Sequence, residues 1–383
     1  MRVFLVAGEA SGDRLGAALI EGLRQLAGEV EVMGVGGPLM AEQGLDSLFP
    51  MDELSVMGIA EVLPRYPALR RRMIQTADAV VVAAPDVLIT VDSPDFGLRV
   101  AKRVRKAARL RTVHYVAPSV WAWRPGRAVR MAPHVDQVLA LLPFEPPFME
   151  HAGMRCDFVG HPVVSEPAAT EADVAAFRAR HDLGDAPYLL VLPGSRRSEV
   201  ERLAPIFGAA LTQMAARHPD LRIVLPVAPG REEQLCVATR TWPETILLEQ
   251  PDKAEKAAAF AGARAALAAS GTVSLELAKA GTPMVIAYDM NWLSWQILSR
   301  MVRTDTVTLV NLIEGRNVVP EYLGPACRPG PVADALDALW QEPGLQTPAL
   351  DRTMKALGQG GKAPGLRAAR AVLDGLASEG KDR

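Results

Sequence analysis

Short apolar runs rich in β-branched residues alternate with longer amphipathic stretches along the whole chain, and few folds satisfy that order. Residues 2–7, 30–35, 87–92, 112–116, 137–142 and 157–159 predict strands, with amphipathic helices over 11–26, 67–82 and 97–108 between them. The strand runs are apolar almost continuously, not at every second residue, which is the mark of strands buried on both faces. Such alternation requires a parallel sheet covered by helices on both sides. After His161-Pro162-Val163 the pattern pauses in a polar stretch, 165–173. It restarts with strands over 188–192, 222–227, 245–248, 265–268 and 284–288, each followed by a helix. The expected architecture is α/β, with two Rossmann-like parallel-sheet domains at 1–164 and 172–345. An amphipathic helix at about 365–378 is expected to return to the first domain. A length of 383 residues suits two domains. Ligands of open parallel sheets bind beyond the carboxyl ends of the strands, so two such sheets facing across a cleft would put the chemistry in strand-to-helix loops.

Composition narrows the function classes. A formal net charge of −2 gives no global basic field, which argues against nucleic acid as a partner. Cys156, Cys236 and Cys327 lie far apart and form no Cys/His cluster, so neither a disulfide framework nor a zinc site is expected. Residues 3–7 are too short a run for a signal peptide, and the most apolar stretch, 77–91, is broken by Asp78, Pro85 and Asp86. A soluble cytoplasmic protein is expected, with no cofactor and no metal. There is no GxSxG, HExxH or DxD motif to suggest a serine hydrolase, a zinc protease or a metal-dependent transferase.

Four loops carry candidate chemistry. Gly8-Glu9-Ala10-Ser11-Gly12-Asp13 follows the first strand, and its small residues allow a ligand close to the backbone. It lacks the GxGxxG of a dinucleotide site. Asp13 reads as a helix cap or a ligand contact; Glu9 reads as functional. Asp92-Ser93-Pro94-Asp95-Phe96 sets two carboxylates after a buried strand, one of Asp92 and Asp95 expected to cap the helix beginning near Gly97 and the other to face the ligand. Pro193-Gly194-Ser195-Arg196-Arg197-Ser198 opens the second domain. Here Gly194 permits close approach, Ser195 can donate, and Arg196 offers a planar fork to a diphosphate. Ser270-Gly271-Thr272 sits at a helix start, a second anion position, and Glu276 one turn on has the spacing to accept from two ribose hydroxyls.

Other features bear on partners. Ten Arg and Lys residues, from Arg99 to Arg130, run without an acid between Phe96 and His134. Such a run is ordinarily a solvated face. Beside Arg70-Arg71-Arg72 and apolar Val56-Met57-Gly58-Ile59 it also fits anionic lipid head groups. Trp121-Ala122-Trp123 reads as loop packing, and His114 and His161 as structural.

In order along the chain, these loops resemble the lipid-A-disaccharide synthase family, inverting transferases of the GT-B fold. The resemblance rests on residues 6–13, 55–63, 92–96, 115–123, 142–145 and 158–162, then on Leu192-Pro193-Gly194-Ser195-Arg196, Ser270-Gly271-Thr272 and Val310-Asn311-Leu312-Ile313. It implies a donor, UDP-2,3-diacylglucosamine, and an acceptor, 2,3-diacylglucosamine 1-phosphate. The products would be a β-1,6-linked tetraacyl disaccharide 1-phosphate and UDP. Asp95 then reads as general base, with Glu9 orienting the acceptor or sharing that role, and Asn311 as a donor contact. Residues 57–63 would meet acyl chains, and the protein would touch the inner membrane peripherally from the cytoplasmic face. Self-association is left open. One departure is Gly324, where the family usually has Gln. A UDP-sugar epimerase on the same fold and a non-catalytic lipid-binding scaffold are the competing readings.

Overall fold

The structure is a computed structural model that describes residues 1–54, 59–123, 126–301 and 304–381. It divides into two compact units, Met1–Ser165 with Gly360–Arg383, and Glu166–Gln359. Each is built around its own parallel sheet.

In the first unit the strands are β1 (Arg2–Ala7), β2 (Glu31–Val35), β3 (Asp46–Ser47), β4 (Val87–Val91), β5 (Thr112–Tyr115), β6 (Gln137–Ala140) and β7 (Arg155–Phe158), in the order β3-β2-β1-β4-β5-β6-β7. β1 pairs in parallel with both β2 and β4, setting Ala7 beside Val91. β4 is buried at every residue, as its unbroken apolar run requires. Helix Ala10–Ala27 lays Leu19, Ile20 and Leu23 on the sheet. Each of these is fully buried, a contribution of about 1.5–3 kcal/mol per side chain. The last helix, Pro364–Lys381, packs against this first one, and Ala368, Ala369 and Val372 join the same core. Small residues let the two backbones meet: a Cβ on Gly365 would lie 2.6 Å from the carbonyl oxygen of Ala18, and one on Gly22 would lie 2.7 Å from that of Gly365.

The second unit has β8 (Tyr188–Leu192), β9 (Arg222–Pro226), β10 (Thr245–Leu248), β11 (Ala265–Ala268), β12 (Met284–Tyr288) and β13 (Glu321–Leu323), ordered β10-β9-β8-β11-β12-β13. All its pairings are parallel. Helices Arg197–Arg217 and Pro329–Gln341 pack together over one face, around Phe207, Leu211, Leu336 and Trp340. The α/β class with parallel sheets is as expected from sequence.

Two helix starts differ from the sequence reading by three residues or more. Helix Pro94–Ala107 begins three residues earlier than expected, because Pro94 takes its first turn, where a missing N–H costs nothing. Its N-cap position falls on Ser93, so neither Asp92 nor Asp95 caps it. Helix Ile59–Ala83 runs through Pro64 and Pro67 instead of starting at Pro67. The apolar segment expected to meet acyl chains lies outside the described residues at 55–58, as do the side chains of 59–63. Among the described residues no helix is long and apolar enough to cross a membrane.

Candidate functional site

In an open parallel sheet the crevice lies where strand order reverses, between neighbours whose connections leave in opposite directions. In the first unit that point falls between β1 and β4, and in the second between β8 and β11. All four loops singled out in the sequence leave from those four strands.

At the β1/β4 point the backbone is unusual. Asp92 (φ 51°) and Ser93 (φ 37°) both occupy the left-handed region without being glycine. Such conformations cost of order 1–3 kcal/mol each and cluster at functional sites. Their positions are fixed by neighbours: Ser11 Oγ donates to Asp92 Oδ2 at 3.0 Å, and Gly8 makes room for the Ser93 side chain, since a Cβ there would lie 2.7 Å from Ser93 Oγ. Beyond this turn Asp95 stands in the first helical turn with a side chain 90% exposed, and Arg127 Nη2 donates to its Oδ1 at 2.9 Å. Glu9 is half-buried at the N-cap position of helix Ala10–Ala27, and its side chain does not cap that helix.

Asp13 is a helix cap, though not of the helix that carries it. It is 2% exposed and accepts from the N–H groups of Gly37, Leu39 and Met40 at 2.9–3.0 Å. Those are the orphan donors of a different helix, Pro38–Glu42, so Asp13 caps a neighbour. His114 is fully buried with Nδ1 2.7 Å from Thr90 Oγ1, and burial pushes its pKa down to about 4. Trp121 Nε1 donates to Glu145 at 3.3 Å, and the Trp121 ring meets Phe144 edge-on at 5.2 Å. Glu145 also accepts from the N–H groups of Leu141 and Leu142, yet burial raises its pKa to about 7.

At the β8/β11 point, Gly194 (φ 111°) turns the chain into the left-handed region, and Ser195 and Arg196 are exposed. The backbone N–H groups of Ser195 and Arg196 both donate to Glu199 Oε2, at 3.1 and 3.2 Å. Arg196 Nη1 donates to Glu199 Oε1 at 2.8 Å, and the Tyr288 hydroxyl to the same oxygen at 3.3 Å. On the other strand, Ser270 is half-buried, Gly271 (φ 151°) and Thr272 are exposed, and Thr272 makes no side-chain cap to helix Val273–Ala280. Glu276 accepts from Lys256 Nζ at 2.6 Å, with the carboxylate about one-third exposed.

Asn311 sits differently from the rest. It is 1% exposed; its Nδ2 donates to Val319 O at 2.9 Å and Thr306 Oγ1 at 3.2 Å, and its Oδ1 accepts from Val318 and Val319 N–H. Glu321 holds the same segment, accepting from Thr306 Oγ1 and from Thr308 N–H. Gly324 (φ 54°) has a local cause, since a Cβ there would lie 2.5 Å from the Trp295 ring. Among the described residues no group of three or more His, Cys, Asp or Glu is arranged to hold a metal ion.

The sequence pattern of the family described as "Lipid-A-disaccharide synthetase" matches residues 3–357. The chain belongs to the lipid-A-disaccharide synthase family. The lipid-A-disaccharide synthase of Ruegeria pomeroyi is 61% identical over 383 residues, covering 98% of this chain and 96% of the relative. That of Rhodospirillum centenum is 50% identical over 378 residues, covering 97% and 94%. Among solved structures, a glycosyltransferase from Rickettsia africae superposes with a TM-score of 0.63 at 10% identity, covering 98% of both chains. A UDP-GlcNAc 2-epimerase from Neisseria meningitidis bound to UDP-GlcNAc gives 0.62 at 12% identity, covering 99% of this chain and 100% of that one. These likenesses identify a GT-B-like fold, and family membership makes the chain a glycosyltransferase. Glu199 and Lys256 were not singled out from sequence, and Arg127 figured there only within the basic run. Of the three only Glu199 carries a local signal, an acid three residues after a helix N-cap.

Proposed function

We propose that the chain transfers 2,3-diacylglucosamine from UDP-2,3-diacylglucosamine to 2,3-diacylglucosamine 1-phosphate, inverting the anomeric centre. The reading rests on one observation: within each unit the chemistry-bearing loops flank the sheet's own switch point. The acceptor lies on the β1/β4 loops. Its 6-hydroxyl attacks the anomeric carbon of the donor, Asp95 takes the proton, and the bond to UDP breaks with its electron pair leaving on the diphosphate. Glu9 orients the acceptor. On the second unit the Arg196 guanidinium and Ser195 meet the diphosphate, with Gly194 giving it room. The helix start at Ser270, Gly271 and Thr272 adds oriented N–H groups, which favour the charge that builds on departing UDP. Glu276 takes the ribose hydroxyls, and Asn311 acts through the segment that it clamps.

A peripheral contact with anionic lipid is part of this reading. Arg65, Arg70, Arg71, Arg99, Lys102 and Lys106 are exposed on two helices that pack together, Ile59–Ala83 and Pro94–Ala107. The sequence's basic run is split, however: Arg105 pairs with Asp136, Arg127 with Asp95, and Arg111 is 8% exposed. Cosedimentation with anionic vesicles that weakens with salt is the expected outcome; no binding at low salt would remove the lipid contact.

The decisive experiment measures UDP release from purified protein. Release is expected only when both lipids are supplied, with the disaccharide formed in equal amount. Conversion of the donor alone to an isomeric UDP-sugar would replace transfer with epimerisation, and no turnover with both lipids would leave a binding protein.

A further inference from the structure

We infer that Glu199 is a positioning residue of the donor site, an internal counter-anion that occupies the β8 loop's backbone donors and orients Arg196. The inference rests on the donor reading given above and revises how that loop meets a diphosphate.

The loop after β8 looks in sequence like a phosphate cradle, with a glycine, a serine, an arginine and a long helix opening behind them. The structure fills that cradle from within. The Glu199 side chain is 10% exposed, and its two oxygens take four hydrogen bonds: from the N–H groups of Ser195 and Arg196, the Arg196 guanidinium and the Tyr288 hydroxyl. Gly194 is shaped to this carboxylate, because a Cβ there would lie 2.7 Å from both Glu199 Cβ and Oε2. A buried carboxylate held by charge-assisted bonds is expensive to uncover, so a diphosphate does not displace it. The backbone amides are spent on Glu199. What the loop presents is the Arg196 side chain, 63% exposed and tethered at one nitrogen. A tethered guanidinium loses less rotamer freedom on meeting an anion than an untethered one. Tyr288, at the end of β12, ties the same carboxylate to a strand two places from β8 in the sheet. Glu199 therefore acts through Arg196 and does not touch the nucleotide.

The alternative is a gate, in which the carboxylate competes with phosphate for the amides and weakens UDP binding. The two roles predict opposite signs. In Glu199→Gln the KM for the UDP-sugar is expected to rise about tenfold with kcat within about threefold, and UDP affinity by calorimetry to fall in parallel. Tyr288→Phe, which removes one bond and leaves the fold intact, is expected to give a smaller rise of the same kind. In an Arg196→Ala background, Glu199→Gln is expected to add little, since the residue it orients is gone. Tighter UDP binding by Glu199→Gln, or effects of the two substitutions that add in full, would overturn the inference. Unchanged UDP affinity in Arg196→Ala alone would instead overturn the donor site. Should Glu199→Gln fail to fold, the Tyr288→Phe and Arg196→Ala cycle decides the matter by the same signs.

Discussion

Asp95 meets solvent over most of its side chain while one oxygen accepts from Arg127. The pairing fixes where the carboxylate points and leaves the second oxygen for a hydroxyl proton. Asp95→Asn keeps the shape and removes the base. Turnover is expected to fall by roughly 10²–10⁴, about 3–5 kcal/mol of barrier, with UDP affinity nearly unchanged. A rate within a few-fold of the parent would exclude Asp95 as the base. Glu145 makes a different kind of claim, about stability. Its pKa of about 7 lies above the ordinary glutamate value of 4.5, so between those values this group binds more proton in the native state than in the unfolded chain. The stability that Glu145 contributes should therefore fall as pH rises from about 4.5 through about 7 and level off above. The full effect is on the order of 3 kcal/mol. Denaturant unfolding at pH 5 and pH 8 should show this loss as the difference between the parent and Glu145→Gln, since buried His114 adds the opposite trend to both. Equal slopes in both proteins would mean that Glu145 is already ionised at pH 5.

Among the elements, those with a strong pattern were the legible ones. Tyr188–Leu192, Ala265–Ala268 and Met284–Tyr288 match their sequence reading end to end, because strands buried on both faces must be apolar throughout. Edge strands of two or three residues, Asp46–Ser47 and Glu321–Leu323, carry no such constraint and were invisible. The chemistry-bearing loops could be located because glycines, hydroxyls and charges interrupt apolar runs there. Their side-chain partners could not: Arg127 is 32 residues from Asp95, and Lys256 is 20 from Glu276, so only the folded sheet brings them together. Gly365 illustrates packing at the same scale. Its lack of a side chain lets helix Pro364–Lys381 touch the backbone of helix Ala10–Ala27. Gly365→Val should cost about 1–3 kcal/mol, read as an earlier urea midpoint for the first unit, whereas Gly330→Val, in a helix whose glycine has open space around it, should cost less. Equal losses in the two variants, each read from the unit that carries the substitution, would contradict that close approach.

At the level of the molecule, each unit has its own apolar core and one of them is discontinuous in sequence. Residues 166–359 are a single stretch, whereas the first unit takes its last helix from beyond residue 359. Removing residues 360–383 should raise hydrogen exchange across helix Ala10–Ala27 and β1 while leaving β8 and β11 protected as before. Loss of protection in both units together would mean that they fold as one body. The interruption also has a consequence for how the protein is made. A ribosome releases residues in order, and nascent domains commonly finish from the front. Here the front sheet waits, with the Ala18 and Gly22 face of its first helix uncovered, until helix Pro364–Lys381 has emerged behind a completed second sheet. The newborn chain thus carries an unfinished apolar surface throughout the synthesis of its second unit, which is where a chaperone would find it.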